Sequence, residues 1–268
     1  MSDLVIRQLN EVHLQIECEK YIANELCEYF TFYVPNYKFV PAYRNKLWDG
    51  KIRLFNLRNN TLYCGLFEYV KQFAKEREYT ILKEFDDSST EINLDSMVLS
   101  SRGKQIEPRD YQKNAVLHGL TNQKALLLSP TASGKSLIIY MMIRWYLENH
   151  NENILLVVPT TSLVEQMYSD FEDYSKLNGW SVEDNCHRIY SGKEKIDISK
   201  RVVITTWQSI HNLPRNWFVP YGMVIGDEAH NFKAKSLTKI MENLVNAKYR
   251  IGTTGTLDGT QTHRLVLR

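Results

Sequence analysis

Two kinds of hydrophobic pattern divide the chain. Val12 to Glu17 alternates apolar and polar residues as a half-exposed strand does, and residues 19–30 show the spacing of an amphipathic helix. Lys51 to Phe55 (KIRLF) alternates again behind a Trp-Asp-Gly turn, which predicts a hairpin. Residues 65–78 return to helical spacing, and Asn59-Asn60 reads as a turn between strand-like runs. These elements predict a small mixed α/β domain over residues 1–85. Residues 86–101 (DDSSTEINLDSMVLSS) are polar and Ser/Asp-rich, and read as a linker.

From residue 102 to 268 the pattern changes to short apolar runs separated by helical stretches. The runs are ALLLS (125–129), ILLVV (154–158), RVVIT (201–205), MVIG (223–226) and YRIGT (249–253). Strands without alternation are buried on both faces, so a parallel sheet covered by helices is expected. Ligands of such sheets bind beyond the carboxyl ends of the strands, and the motifs below fall there.

Composition narrows the class. Over 268 residues, 43% hydrophobic and 24% charged describe a globular chain rather than a disordered or fibrous one. No apolar run reaches membrane-spanning length; Leu137 to Leu147 is broken by Arg144. Four cysteines without a CxxC pair argue against zinc or a disulfide framework and for a reducing cytoplasm. The net charge of +2 is uninformative, but its distribution is not. Between residues 36 and 58, Lys38, Arg44, Lys46, Lys51, Arg53 and Arg58 face Asp49 alone. This basic patch is interleaved with aromatics. Lys51, Arg53 and Phe55 are expected on one strand face with Ile52 and Leu54 on the other. Lys46, Lys51 and Arg53 would then track phosphates while Trp48 stacks on a base. A solvated charged face, with Trp48 capping the core, is the competing reading. Trp207 and Trp217 read as packing residues.

Directly after ALLL stand Ser129, Pro130, Thr131, Ala132, Ser133, Gly134, Lys135 and Ser136, followed by an apolar helix. This is a phosphate-binding loop with Ser129 in place of the first glycine. Backbone N–H groups at a helix start create positive potential for phosphate. Lys135 can reach the β/γ-phosphates of ATP, and the Ser136 hydroxyl can ligate Mg²⁺. MVIG runs into Asp227-Glu228-Ala229-His230. Adjacent carboxylates at a buried strand end are costly unless a metal or a reaction uses them. Asp227 is placed to hold Mg²⁺ and Glu228 to orient and deprotonate water.

Together these blocks resemble the superfamily 2 helicases and translocases over residues 105–258. SPTASGKS is similar to their motif I and DEAH to motif II. The resemblance implies that Arg109-Asp110-Tyr111-Gln112 is the Q-motif, with Gln112 reading adenine. It implies that Pro159-Thr160, with Leu163 and Gln166, and Thr205-Thr206 touch nucleic acid. His230, Thr254, Gly255 and Thr256 would couple ATP to strand movement. The fold implied is a RecA-like P-loop domain, and the partners implied are branched DNA, RNA–DNA hybrids or single strands. Protein partners are not indicated.

The resemblance also implies a second RecA-like domain with an arginine finger, which this chain is expected to lack. Three rivals remain: a duplex translocase that does not unwind, a binding module switched by ATP, and a small-molecule kinase. An intact Glu228 disfavours the switch, and the kinase leaves Gln112 and the TTGT block unexplained. An arginine finger contributes about 10³–10⁵ in rate, roughly 4–7 kcal/mol of barrier. The isolated chain is therefore expected to bind ATP and hydrolyse it hardly at all. A steady-state ATPase assay giving about 1–100 s⁻¹ would contradict that expectation.

Overall fold

Alternation in the first twenty residues produces an antiparallel pair, β1 (Leu4–Gln8) and β2 (His13–Cys18), with Ile6 opposite Ile16. The computed structural model describes residues 2–85, 92–94, 96–130, 133–190, 199–228 and 235–255. The chain divides into two compact units, residues 1–87 and 88–266. In the first, α1 (Lys20–Tyr29) leads to β3 (Thr31–Tyr33), a 3₁₀ turn (Tyr37–Phe39), α2 (Pro41–Arg44) and β4 (Lys51–Arg53). Then come β5 (Thr61–Tyr63), α3 (Phe67–Glu76) and β6 (Ile81–Lys83). The main sheet runs β5-β2-β1-β6. Leu4, Ile6, Leu14 and Ile16 point from it into a core shared with Leu26 of α1 and Phe73 of α3.

The expected hairpin is corrected. KIRLF does not fold back across the Trp-Asp-Gly turn; β4 pairs with β3, Thr31 opposite Arg53 and Tyr33 opposite Lys51, across the loop 34–50. Gly50, at φ +79°, is required in that loop, because a Cβ would collide with the Tyr37 ring. Phe55 leaves the expected cationic face altogether. The strand ends at Arg53, alternation lapses, and Phe55 enters the core at 2% exposure.

The second unit opens with a hairpin, β7 (Leu99–Ser101) and β8 (Lys104–Ile106). Here the linker reading is corrected. Leu99 and Ser100 are fully buried, and Ile92, Leu94 and Met97 pack against the same core. The apolar residues scattered among the serines make that segment part of the unit. Next follow α4 (Asp110–Asn122), β9 (Lys124–Leu128), α5 (Lys135–Asn149), β10 (Asn153–Val158) and α6 (Thr161–Ser175). The short α7 (Val182–Asn185) precedes β11 (Cys186–Ile189) and β12 (Val202–Thr206). The remainder is α8 (Trp207–Ile210), α9 (Arg215–Phe218), β13 (Tyr221–Gly226), α10 (Lys235–Asn243) and β14 (Tyr249–Thr254).

All six strands β9–β14 are parallel, in the order β11-β12-β10-β13-β14-β9. Successive residues of β10 serve opposite faces. Ile154, Leu156 and Val158 pack with α4, α5 and α6, whereas Leu155 and Val157 pack with Ile210, Phe218 and Ile240. Trp207 and Trp217 join that second core as partly buried packing residues. Among the described residues, no helix is long and apolar enough to cross a membrane.

His150, after α5, stacks on Tyr146 at 4.4 Å and lies 5.3 Å from the Tyr249 ring. Burial pushes its pKa below the ordinary 6.5. The fold thus favours neutral imidazole, and this contribution is intact above 6.5 and lost as pH falls below it. In thermal unfolding from about pH 7.5 to about pH 5.5, His150→Gln should lose less stability than the parent. An equal loss would show that the imidazole is not responsible.

Candidate active site

β9, β13 and β14 are neighbouring parallel strands whose carboxyl ends release three short segments side by side. After β9 the chain stays tied to β14, Ser129 N–H donating to the Thr254 carbonyl at 2.8 Å. Ser129 and Ser133 join their hydroxyls at 2.5 Å across the loop. Gly134 caps α5 in the left-handed region at φ +76°. A Cβ there would strike Gln112 Nε2, so glycine is imposed by both backbone and neighbour. Lys135 and Ser136 are then the first residues of α5, at its positive end. Thr131 and Ala132 lie outside the described residues.

Gln112 braces this loop. Its Oε1 accepts from Arg109 N–H at 2.9 Å and its Nε2 donates to the Ser133 carbonyl at 3.0 Å. Tyr111 donates its hydroxyl to the same carbonyl at 2.8 Å, and Arg109 Nη1 donates to Tyr111 at 3.3 Å. Gln112 is buried at 6% exposure, whereas Arg109 and Tyr111 are exposed.

The acidic pair closes the site. Asp227, 4% exposed, remains in the ladder through its N–H to the Val157 carbonyl at 2.9 Å. Its Oδ1 accepts from Thr253 Oγ1 at 2.7 Å and lies 3.8 Å from Lys135 Nζ. Glu228 turns out of the strand at φ +50°, a left-handed conformation uncommon for glutamate and of a kind concentrated at functional sites. Its Oε1 receives Lys135 Nζ at 2.5 Å. Ser136 Oγ lies 2.8 Å from the Tyr174 hydroxyl. Burial pushes the Asp170 carboxyl up, partly offset by the Ser136 hydroxyl.

The donor set fits Mg²⁺, a hard cation served by oxygen ligands that keeps water and phosphate in its shell. Ser136 hydroxyl and Asp227 carboxylate are such donors. Among the described residues no group of three or more His, Cys, Asp or Glu gathers as an all-protein metal cage.

The remaining expected residues divide. Thr160 is exposed and caps α6, accepting from Leu163 N–H at 3.3 Å, with Pro159 half-buried beside it. Thr205 and Thr206 turn their side chains inward. Both are buried, at 0% and 4% exposure; Thr205 Oγ1 donates to the Ile189 carbonyl at 2.9 Å and Thr206 bonds Ser209 at 2.9 Å. Thr254 is also fully buried, Gly255 half-buried; His230 and Thr256 lie outside the described residues. In the first unit Lys46 is exposed, but Trp48 is half-buried and donates its indole N–H to the Lys51 carbonyl at 2.9 Å. Arg53 is paired with Asp49, and Lys51 Nζ lies 5.0 Å from the Tyr33 ring.

The sequence blocks contain Thr253 and Tyr111 without giving either a role of its own, and they leave out Tyr174 and Asp170. Thr253 reaches Asp227 through the strand register: Gly226 pairs with Gly252, which brings the next residues along, Asp227 and Thr253, side by side. Tyr174 and Asp170 carry no local signal, being remote in the chain.

Residues 105–259 match the family described as "Type III restriction enzyme, res subunit". The chain belongs to this family. Residues 3–84 match the family described as "DNA helicase UvsW, N-terminal". The ATP-dependent DNA helicase uvsW of Enterobacteria phage T4 is 36% identical over 91% of this chain and 50% of its own length. A crystal structure of the UvsW helicase from bacteriophage T4 superposes with a TM-score of 0.88 at 34% identity, covering 98% of this chain and 96% of that one. The DNA 3'-5' translocase XPB2 of Sulfurisphaera tokodaii is 26% identical over 69% of this chain and 38% of its own length. The chain thus spans half or less of the length of these curated relatives.

Thr253→Val keeps the shape of the side chain and deletes the donor to a buried carboxylate oxygen. It should destabilise the protein by about 1–3 kcal/mol in urea unfolding, while Thr253→Ser stays near the parent. Equal behaviour of all three would show that the bond to Asp227 carries little.

Proposed function

We propose that this chain carries the nucleotide-binding and catalytic part of an ATP-dependent helicase or translocase that remodels nucleic acid. The observation behind this reading is the convergence of Lys135, Asp227, Glu228 and Thr253 at the carboxyl ends of adjacent parallel strands. That edge is where open α/β sheets bind their ligands.

On this reading Lys135 exchanges Glu228 for the β/γ-phosphate oxygens of ATP, and the loop N–H groups and the start of α5 take the remaining charge. Ser136 and Asp227 would hold Mg²⁺, which would supply positive charge against the charge that develops on the phosphates. Released from Lys135, Glu228 orients water and accepts its proton. Pro130, Ser133 and Gly134 shape the loop around the phosphates, Thr131 and Ala132 completing it. Gln112 holds it from behind, leaving Arg109 and Tyr111 open toward the adenine. Thr253 ties the Asp227 carboxylate to β14, which ends at Thr254, with Gly255 and Thr256 next in the sequence. With His230 these carry the state of the site to the nucleic acid.

Thr160 and Pro159 contact the nucleic-acid backbone on this reading, with Lys46 in the basic region of the first unit. Such contacts carry no base information. Relatives named as a DNA helicase and a DNA translocase support DNA as the partner. On our reading the substrate is branched DNA or an RNA–DNA hybrid and the protein works in the cytoplasm. A second reading, duplex translocation without unwinding, is favoured by the restriction-subunit family match. Strand displacement by the full-length protein separates the two.

Lys135→Ala in the full-length protein should lose both nucleotide binding and turnover. Glu228→Gln should retain binding of a fluorescent ATP analogue and lose hydrolysis. Parental turnover in Glu228→Gln would remove Glu228 from the role of base.

A further inference from the structure

Ser136 has two polar neighbours on α6 that the phosphate loop alone does not explain. Its Oγ meets the Tyr174 hydroxyl at 2.8 Å, and the Ser136 hydroxyl holds down the Asp170 carboxyl, one helical turn before Tyr174, against the upward push of burial. A carboxylate only accepts, so a Ser136 proton turned toward Asp170 leaves the Tyr174 proton to point at the Ser136 oxygen. In that order Ser136 Oγ keeps a second lone pair with which to ligate a cation.

The end of α6 that supplies these partners is itself pinned. Ser100 Oγ donates to the Asp173 carbonyl, and Arg102 N–H donates to the Asp173 carboxylate at 2.9 and 3.0 Å. The Tyr174 ring packs 5.5 Å from that of Tyr140 on α5, one helical turn beyond Ser136. The tyrosine hydroxyl therefore has a defined position from which to donate.

We propose that Asp170 and Tyr174 are positioning residues that present the Ser136 oxygen to the magnesium ion accompanying the bound nucleotide. This rests on the assignment of Ser136 as a ligand of that ion, and the test separates the two. The 268-residue chain and its Tyr174→Phe, Asp170→Asn and Ser136→Ala variants are titrated with a fluorescent ATP analogue, at varied Mg²⁺ and again in EDTA.

Tyr174→Phe and Asp170→Asn are expected to raise the Mg²⁺ concentration for half-maximal binding about tenfold or more, with binding in EDTA unchanged. Ser136→Ala should shift it at least as far, and adding Tyr174→Phe to Ser136→Ala should change nothing further. If Ser136→Ala leaves the Mg²⁺ dependence unmoved, the ligand assignment itself fails. If Ser136→Ala shifts it and the other two do not, the ligand assignment stands and the positioning role is overturned. Equal weakening with and without Mg²⁺, accompanied by a lowered Tm, overturns it in favour of simple packing.

Discussion

A lysine held between two carboxylates at the edge of a buried sheet is the constraint on which the site depends. Lys135 has a side-chain exposure of 17% and Asp227 of 4%. Charges this poorly hydrated persist only when paired with good geometry. The pairing requires α5 to begin where β13 ends, and that requirement reduces to the parallel register of β9, β14 and β13. Removing Lys135 would strand two acids, and removing Asp227 would leave Thr253 without its acceptor. The same cluster is poised for exchange, because a phosphate group offers Lys135 what Glu228 now offers.

That dependence explains which parts of the fold were legible. The strands at 154–158, 201–205 and 223–226 stand out because nearly every residue is buried, on both faces of the sheet; those at 125–129 and 249–253 are apolar enough to be read although Leu128 is exposed and Arg250 half-buried. β11 escaped notice because its four residues include His187 and Arg188 at the sheet margin. The partner of β4 escaped for another reason. A local turn signal at Trp48-Asp49-Gly50 suggested a neighbour, whereas β3 lies on the far side of a loop containing a helical turn. Alternation also misplaced Phe55, since period two holds only while the strand continues.

At the site the contrast is between contiguous and assembled chemistry. Gly134, Lys135, Ser136, Asp227 and Glu228 could be read because each block is written in consecutive residues at a strand end. Thr205 and Thr206 show the limit of such reading, since nothing in the consecutive residues tells that their hydroxyls turn inward to backbone and serine. Asp170 and Tyr174 mark the opposite limit. They meet Ser136 only because α6 packs on α5, and no local pattern announces that meeting.

The position of β9 in the sheet has a consequence for the order of events during synthesis. β9 is made before the other five strands, yet it lies at an edge and pairs with β14, the last of them. Its backbone must wait unpaired while the intervening helices and strands emerge, which makes closure a long-range, slow event. Until then an apolar edge is exposed to wrong partners. The phosphate loop hangs from that waiting strand, so the pocket comes into being only when the sheet is completed. A nascent chain stopped short of β14 would carry every residue of both motifs and still have nowhere to seat a nucleotide.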